Sequence, residues 1–151
     1  MNEFKLRYTA LLEELGDHKK MVLSTSLHDH VTSRMMSLIL TDGRFYFQTD
    51  TDFRKSEQIR QNPRVSLCWE NIQLEGVCSE IGHPTANQCF CELFEKYYPG
   101  SFRYYTHLDS ERLFVIAPTY IKKWVYDDKI PYTEVFDVAK ENYMKTAYKS
   151  V

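Results

Sequence analysis

The stretch R-M-M-S-L-I-L-T-D-G-R-F-Y-F-Q-T-D-T-D-F-R-K-S-E-Q-I-R-Q-N-P, running from Arg34 to Pro63, decides the fold. Two apolar runs, Met35–Leu40 and Phe45–Phe47, flank Thr41-Asp42-Gly43. Asp-Gly between such runs predicts a tight antiparallel hairpin, because its turn needs residues that tolerate positive φ. A polar turn follows Gln48-Thr49, and adjacent cations, Arg54 and Lys55, then open a short helical pattern over Phe53–Gln61. Asn62-Pro63 ends it, since proline clashes with a continuing helix. Cations beside the free N–H groups of a helix start suit a phosphate.

Upstream, Phe4, Tyr8, Leu11, Leu12 and Leu15 recur at helical spacing, and Gly16-Asp17 closes the pattern. Met21–Leu27 reads as a first strand, His28-Asp29-His30 as a turn, Thr32–Leu40 as the second strand and Arg44–Thr49 as the third. Downstream, Arg64–Glu70 alternates with Val65, Leu67 and Trp69 on one face. Ile72–Ile81 follows, with Ile72, Leu74, Gly76, Cys78 and Glu80 on one face. A glycine inside a strand, here Gly76, predicts a bulge or the close approach of another group. His83-Pro84-Thr85 opens a helix whose apolar stripe is Ala86, Cys89, Phe90, Leu93, Phe94 and Tyr97, and Pro99-Gly100 stops it. Ser101–Ser110 reads as a loop with a turn of helix. Arg112–Ala117 and Tyr120–Tyr126 read as two strands broken apart by Pro118. Lys129–Asp137 reads as irregular, and Asp137 to Ser150 as a weak helix using Val138, Tyr143, Ala147 and Tyr148. About seven short strands with tight connections predict antiparallel pairing, and closure into a barrel removes their exposed edges.

With 151 residues, the chain is expected to form a single domain over residues 1–151. Aromatics at 15% favour β structure and interfaces over a plain helical bundle. A formal net charge of -2 gives no electrostatic reason to expect nucleic acid. No apolar run approaches the ~20 residues of a membrane span, and Met1–Leu6 lacks the apolar core of a signal peptide. A soluble, cytoplasmic protein is expected, and its cysteines agree. Cys68 and Cys78 fall in strand-like runs, while Cys89 and Cys91 are two apart in a helical pattern and point to different faces. Free, partly buried thiols are the expectation. His28-x-His30 reads as turn histidines in solvent rather than a metal clip, for no third ligand is placed by spacing. There is no phosphate-loop or dinucleotide glycine pattern.

The ordered series of Arg34, the Asp-Gly hairpin, Gln48-Thr49, Arg54-Lys55 and Asn62-Pro63 resembles the pyridoxamine 5′-phosphate oxidase-like family, the FMN-binding split barrels. Members carry an arginine leading an apolar strand, an aromatic or polar residue before Thr, then S-x-K or S-R-K, an apolar position and N-P. Here these stand as R-M-M-S-L, F-Y-F-Q-T, F-R-K-S-E-Q-I and N-P, and W-E-N-I-Q-L-E-G resembles the family's strand ending in V-E-G. The likeness spans about residues 20–82 and weakens through Trp124.

The resemblance implies a mainly β fold with flanking helices. The fold would be an antiparallel six- to seven-stranded split β-barrel, homodimeric, with FMN clasped between subunits. Arg54 and Lys55 match the residues that hold the FMN phosphate, with Thr49 and Arg34 nearby. Met35, Met36 and Ser37 match the strand lining the flavin pyrimidine edge, and Gln48 the residue bordering the cofactor. Asn71 matches a glutamine that hydrogen-bonds the flavin. Trp124, beside Lys122 and Lys123, lies near where the partner chain contributes and would cover the ring. Phe53 replaces the phosphate-contacting serine, Ile39 stands in place of a lysine, and no R-L-H-D-R motif closes the chain. These departures point away from pyridoxamine phosphate oxidation and toward the small general-stress or nitroimidazole-reductase-like members. The implied function is an FMN-dependent oxidoreductase, flavin-reductase- or nitroreductase-like, with NADH or NADPH as donor and an unknown small-molecule substrate. The alternatives are a non-enzymatic flavin- or haem-binding or sensing protein, and an empty barrel kept as a dimeric scaffold. For haem, His28, His30, His83 or His107 would supply the axial ligand.

Overall fold

The Asp42-Gly43 hairpin forms as its residues require. Their φ angles are 53° and 70°, and β2 (His30–Thr41) returns as β3 (Arg44–Asp50) with Leu40 opposite Phe45. The structure, a computed structural model, describes residues 2–149. Met1, Ser150 and Val151 lie outside the described residues, so the C-terminal expectation is tested only to Lys149.

β1 (His18–Leu27) pairs along its whole length with β2 through a second tight turn at His28-Asp29, where φ is again positive at both residues. β4 (Arg64–Trp69), β5 (Ile72–Glu80) and β6 (Glu111–Asp127) continue the antiparallel sheet in the order β3-β2-β1-β4-β5-β6. Pairing of β3 with β6, Phe45 opposite Ile116, closes a six-stranded barrel. Its interior is filled by one alternating face of each strand, including Leu38, Leu40, Phe45, Phe47, Leu67, Leu74, Phe114 and Ile121. α1 (Glu3–Leu15) buries Phe4, Leu11 and Leu15 on this core. α2 (Arg54–Gln61) contributes Ile59 to it. On the opposite, outward face, Ile39 and Leu113 carry α3 (Gln88–Tyr97) through Phe90 and Phe94, and α4 (Pro99–Tyr105) packs beside α3.

Three expectations are corrected. Pro118 does not break a strand: β6 runs 17 residues through it. The register shifts between Glu75 and Gly76, so Gly76 faces Pro118 while Glu75 faces Tyr120. This bulge accommodates a residue that has no N–H to give to the ladder. It also brings the strands together: a Cβ on Gly76 would lie 2.6 Å from Ile116 Cγ2 and 2.8 Å from the Ala117 carbonyl oxygen. The expected irregular stretch and weak helix beyond β6 are, over the described residues, two strands. β7 (Ile130–Asp137) and β8 (Asn142–Ala147) extend the sheet past the barrel along the far half of β6. Asp128 and Lys129 both adopt positive φ, a hairpin turn without the glycine that usually advertises one. In β8, Tyr143 packs on Phe136 with ring centroids 5.0 Å apart, and that cross-strand contact outweighs weak helical periodicity. Finally, Pro84–Ala86 is a separate 3-10 turn, α3 starts only at Gln88 under an Asn87 cap, and Pro99 begins α4 rather than closing a helix for good.

All four cysteines are free, with Cys78 buried, Cys91 half-buried and Cys68 and Cys89 exposed. Two of the expected partly buried thiols are therefore at the surface. Among the described residues no helix is long and apolar enough to cross a membrane.

Candidate functional site

Arg34 sits on the same face of β2 as Thr32 and Met36, which alternation turns toward the barrel. Its guanidinium donates to the Leu23 carbonyl at 3.3 Å, to Thr25 Oγ1 at 2.9 Å and to Thr32 Oγ1. Both threonine hydroxyls donate in turn to Oε1 of Gln58, at 2.6 and 2.9 Å. Gln58 is buried on α2, so one helix side chain fixes the two hydroxyls that fix Arg34. Ser56, also buried, donates to the Asp50 carbonyl at 2.7 Å and ties the start of α2 to the end of β3.

Lys55 lies one turn before Gln58 on the same side of α2 and is half-buried. Burial, and then the charge of Arg34, hold its ammonium below the ordinary lysine range, while Glu111 and Asp50 act the other way. Burial likewise lowers Arg34. Two cations close enough to perturb each other raise each other's energy unless an anion joins them. Phe53, at the N-cap of α2, makes no side-chain cap bond and places its ring 4.6 Å from Lys55 Nζ, a cation–π contact in place of a hydroxyl. Arg54, the other cation of the pair, is exposed.

Beside this cationic corner are two adjoining hollows. The larger, about 380 Å³, is lined by Gln48, Thr49, Asp50, Phe53, Tyr105, Leu108 and Glu111. The smaller, about 170 Å³, takes in Met35, Met36, Ser37, Phe94 and Ser101 and shares Gln48, Tyr105 and Glu111 with the first. They share three residues and form one groove, lined from β2, β3, the start of β6, α3, α4 and the loop after it. Thr106 Oγ1 donates to Gln48 Oε1 at 2.9 Å, which leaves the Gln48 amide N–H groups to face the Glu111 carboxyl. Glu111 is only 6% exposed. Burial first and Asp50 second push its carboxyl up to about 7, against the opposing pull of Lys55, Gln48 and His83. Asp50 is held below the usual carboxylate range by the Asp52 N–H at 2.8 Å and the Ser110 hydroxyl at 2.7 Å.

The structure thus gathers Met35, Met36, Ser37, Gln48 and Thr49 around one groove, with Arg34 and Lys55 at its corner. Asn71 and Trp124 are elsewhere in the chain. They line a separate hollow of about 310 Å³ with Cys68, Glu70, Ile72, Gln73 and Lys122, none of which borders the groove. The Asn71 amide donates to the Trp124 carbonyl at 2.7 Å, so the turn between β4 and β5 is latched to β6. Glu111, Tyr105 and Asp50 are site residues that sequence reasoning missed. Glu111 did carry one faint signal, an acid directly before the buried run R-L-F-V-I. Of the histidines, His28 and His30 are exposed at a turn. His83 uses Nδ1 toward Thr85 and Nε2 toward the Leu108 carbonyl, each at 2.8 Å, and His107 packs edge-on to Phe102. Among the described residues no cluster of three or more His, Cys, Asp or Glu side chains is arranged to hold a metal.

Residues 9–125 match the family described as Pyridoxamine 5'-phosphate oxidase, and the chain belongs to that family. No curated protein matches it. Among solved structures, the chain is similar to a pyridoxamine 5'-phosphate oxidase-related, FMN binding protein from Nostoc punctiforme. Identity there is 14%, with 99% of this chain and 98% of that one covered and a TM-score of 0.65. It is also similar to General Stress Protein 26 from Bacillus anthracis, at 23% identity over 80% and 92% of the two chains with a TM-score of 0.57. A haem storage protein from Vibrio cholerae shares 13% identity over 78% and 91% of the chains, with a TM-score of 0.59. At these identities the likeness is one of fold: the split barrel and its closing strands.

Proposed function

We propose that this protein is a homodimeric, cytoplasmic FMN-dependent oxidoreductase acting on a small molecule. The observation that carries the reading is the meeting of Arg34 and Lys55, two half-buried cations at one end of a groove. An arrangement of this kind is stable when a dianion takes the charge-assisted hydrogen bonds of both. The residues present fit such a group. Arg34 and Lys55, with Arg54 at the same helix start, would hold the phosphate. Thr49 would support it, and Met35, Met36, Ser37 and Gln48 would line the flavin. FMN, when bound, supplies the electron-transfer chemistry, and the chain supplies position, electrostatics and exclusion of water. NADH or NADPH is the proposed donor.

A dimer follows from the same reading, because one chain does not bring Asn71 and Trp124 to its own groove. The exposed apolar residues Val31 and Met35 on β2 give a partner something to cover. In that arrangement the partner's copies of Asn71 and Trp124 would close over the flavin. Ile39, standing where the resemblance places a lysine, supports a substrate other than pyridoxamine phosphate. The similar haem storage protein keeps haem as the competing ligand, with His28, His30 or His107 as its axial candidates, since both ring nitrogens of His83 are already engaged.

An absorption spectrum of the purified protein tests the ligand: flavin bands support the reading, and a Soret band with no flavin overturns it. Consumption of NADH and NADPH, followed with nitro, quinone and azo acceptors, then tests the oxidoreductase assignment. No turnover with any acceptor by FMN-loaded protein would favour a binding or sensing role.

A further inference from the structure

We propose that Glu111 takes up a proton when a phosphate-bearing ligand enters the groove, so that ligand and proton bind together. The proposal rests on the reading that Arg34 and Lys55 receive the FMN phosphate. Glu111 stands where the two hollows join, nearly enclosed. Every packed element presents something to it. β3 brings the Asp50 carboxylate and the Gln48 amide, α2 brings Lys55, and α4 brings the Tyr105 phenol. The segment before the 3-10 turn brings His83. Only Lys55 offers it a full opposite charge among the groups with a fixed protonation state, and Asp50 repels it.

A phosphate dianion on Lys55 and Arg34 changes that balance twice. It screens the one cation on which the Glu111 carboxylate depends, and it adds negative charge at the same corner. Gln48 cannot replace the lost charge, because its oxygen is taken by Thr106 and its N–H groups already face the carboxylate, so it has no further stabilisation to add. The neutral acid is what remains compatible with a filled site. Burial and Asp50 have already brought the carboxyl up to about 7, so the extra charge carries it through the range of ordinary buffers. Linkage then sets the size of the effect: one proton taken up weakens ligand binding by about tenfold per pH unit above the free carboxyl's titration. The phosphate itself does not contribute there, since its second ionisation lies at about 6.

The test is FMN binding by fluorescence quenching between pH 7.5 and 8.5, on wild type and Glu111→Gln, with calorimetry at pH 8 in two buffers of different ionisation enthalpy. Wild type should bind five- to about tenfold more weakly at the higher pH and take up close to one proton. Glu111→Gln should show a flat profile, no proton uptake and tighter binding than wild type at pH 8.5. A flat wild-type profile overturns the coupling while leaving the flavin reading in place. A slope that persists in Glu111→Gln also overturns it, because the proton then belongs to another group. No saturable FMN binding at any pH overturns both. Should Glu111→Gln fail to fold, infrared difference spectra of wild type with isotope-labelled glutamate decide instead. A protonated-carboxyl band gained on FMN addition at pH 8.5 supports the coupling, and its absence overturns it.

Discussion

Replacing Gln58 by leucine removes one amide oxygen that the buried hydroxyl of Thr25 and the half-buried one of Thr32 use together. In the native barrel, Thr25 and Thr32 both donate to Gln58 Oε1, and both accept from Arg34. Leucine nearly conserves the volume, so little cavity opens. The two hydroxyls lie 3.2 Å apart, so one can donate to the other once the amide is gone. The second is then left with a proton and no acceptor in a position where Thr25 is 2% exposed. An orphaned buried donor costs ~1–3 kcal/mol. For a chain of this size each kcal/mol moves Tm by ~2–4 °C, so Tm should fall by roughly 2–12 °C. The assay is urea unfolding followed by circular dichroism, with an unchanged m-value showing that the denatured state is the same. Arg34 would lose its fixed pose as well, so FMN affinity should drop several-fold alongside stability. A ΔΔG within about 0.5 kcal/mol, the spread of surface substitutions, would refute the view that Gln58 anchors α2 and Arg34 to the β1–β2 hairpin.

Gly76→Ala should destabilise by ~1–3 kcal/mol, because the new methyl meets Ile116 and the Ala117 backbone well inside contact distance; a neutral result in thermal unfolding would show that the bulge relaxes. Glu111→Gln should change the pH dependence of stability in the absence of ligand. The folded carboxyl is raised from 4.5 to about 7, so it binds its proton more tightly folded than unfolded. Wild-type stability from this group is unaffected below pH 4.5, is lost as pH rises toward 7, and stays lost above. The variant should therefore be more stable than wild type at pH 8 by up to about 3 kcal/mol and gain nothing at pH 4, which denaturation at the two pH values checks. Lys123→Ala removes an ion pair to Glu14 at 2.6 Å, but the glutamate is exposed; the cost should stay under ~1 kcal/mol and shrink in high salt, as parallel melts with added chloride would show.

Local chemistry made much of the fold legible. Asp42-Gly43 announced its hairpin because a turn with two positive φ angles favours those residues, and alternation in β4 and β5 told inward from outward positions. Where the sequence misled, a distant contact overruled a local rule. Pro118 is tolerated because Gly76, 42 residues earlier, accepts a bulge opposite it. Asp128-Lys129 turns the chain without glycine, and β8 exists because β7 offers it an edge. The site divides in the same way. Arg34, Gln48, Thr49 and Lys55 lie in one contiguous stretch with recognisable spacing. Glu111 reaches the groove because β6 closes the barrel against β3, a pairing that no local pattern encodes, and Tyr105 because α4 packs beside α3. Asn71 and Trp124 show the reverse case: they match the family's positions yet, within one chain, line a hollow of their own away from the groove.

Titration of FMN into wild type and Lys55→Ala bears hardest on the proposed site. Lys55 is half-buried and exposed to the groove's corner, so its removal deletes a charge-assisted bond to the phosphate without opening the core. Such a bond contributes ~1.5–3 kcal/mol, and Kd should rise by about 10- to 150-fold while riboflavin, which has no phosphate, binds both proteins alike. Equal FMN affinity for the two proteins would contradict the assignment of this corner as the phosphate site.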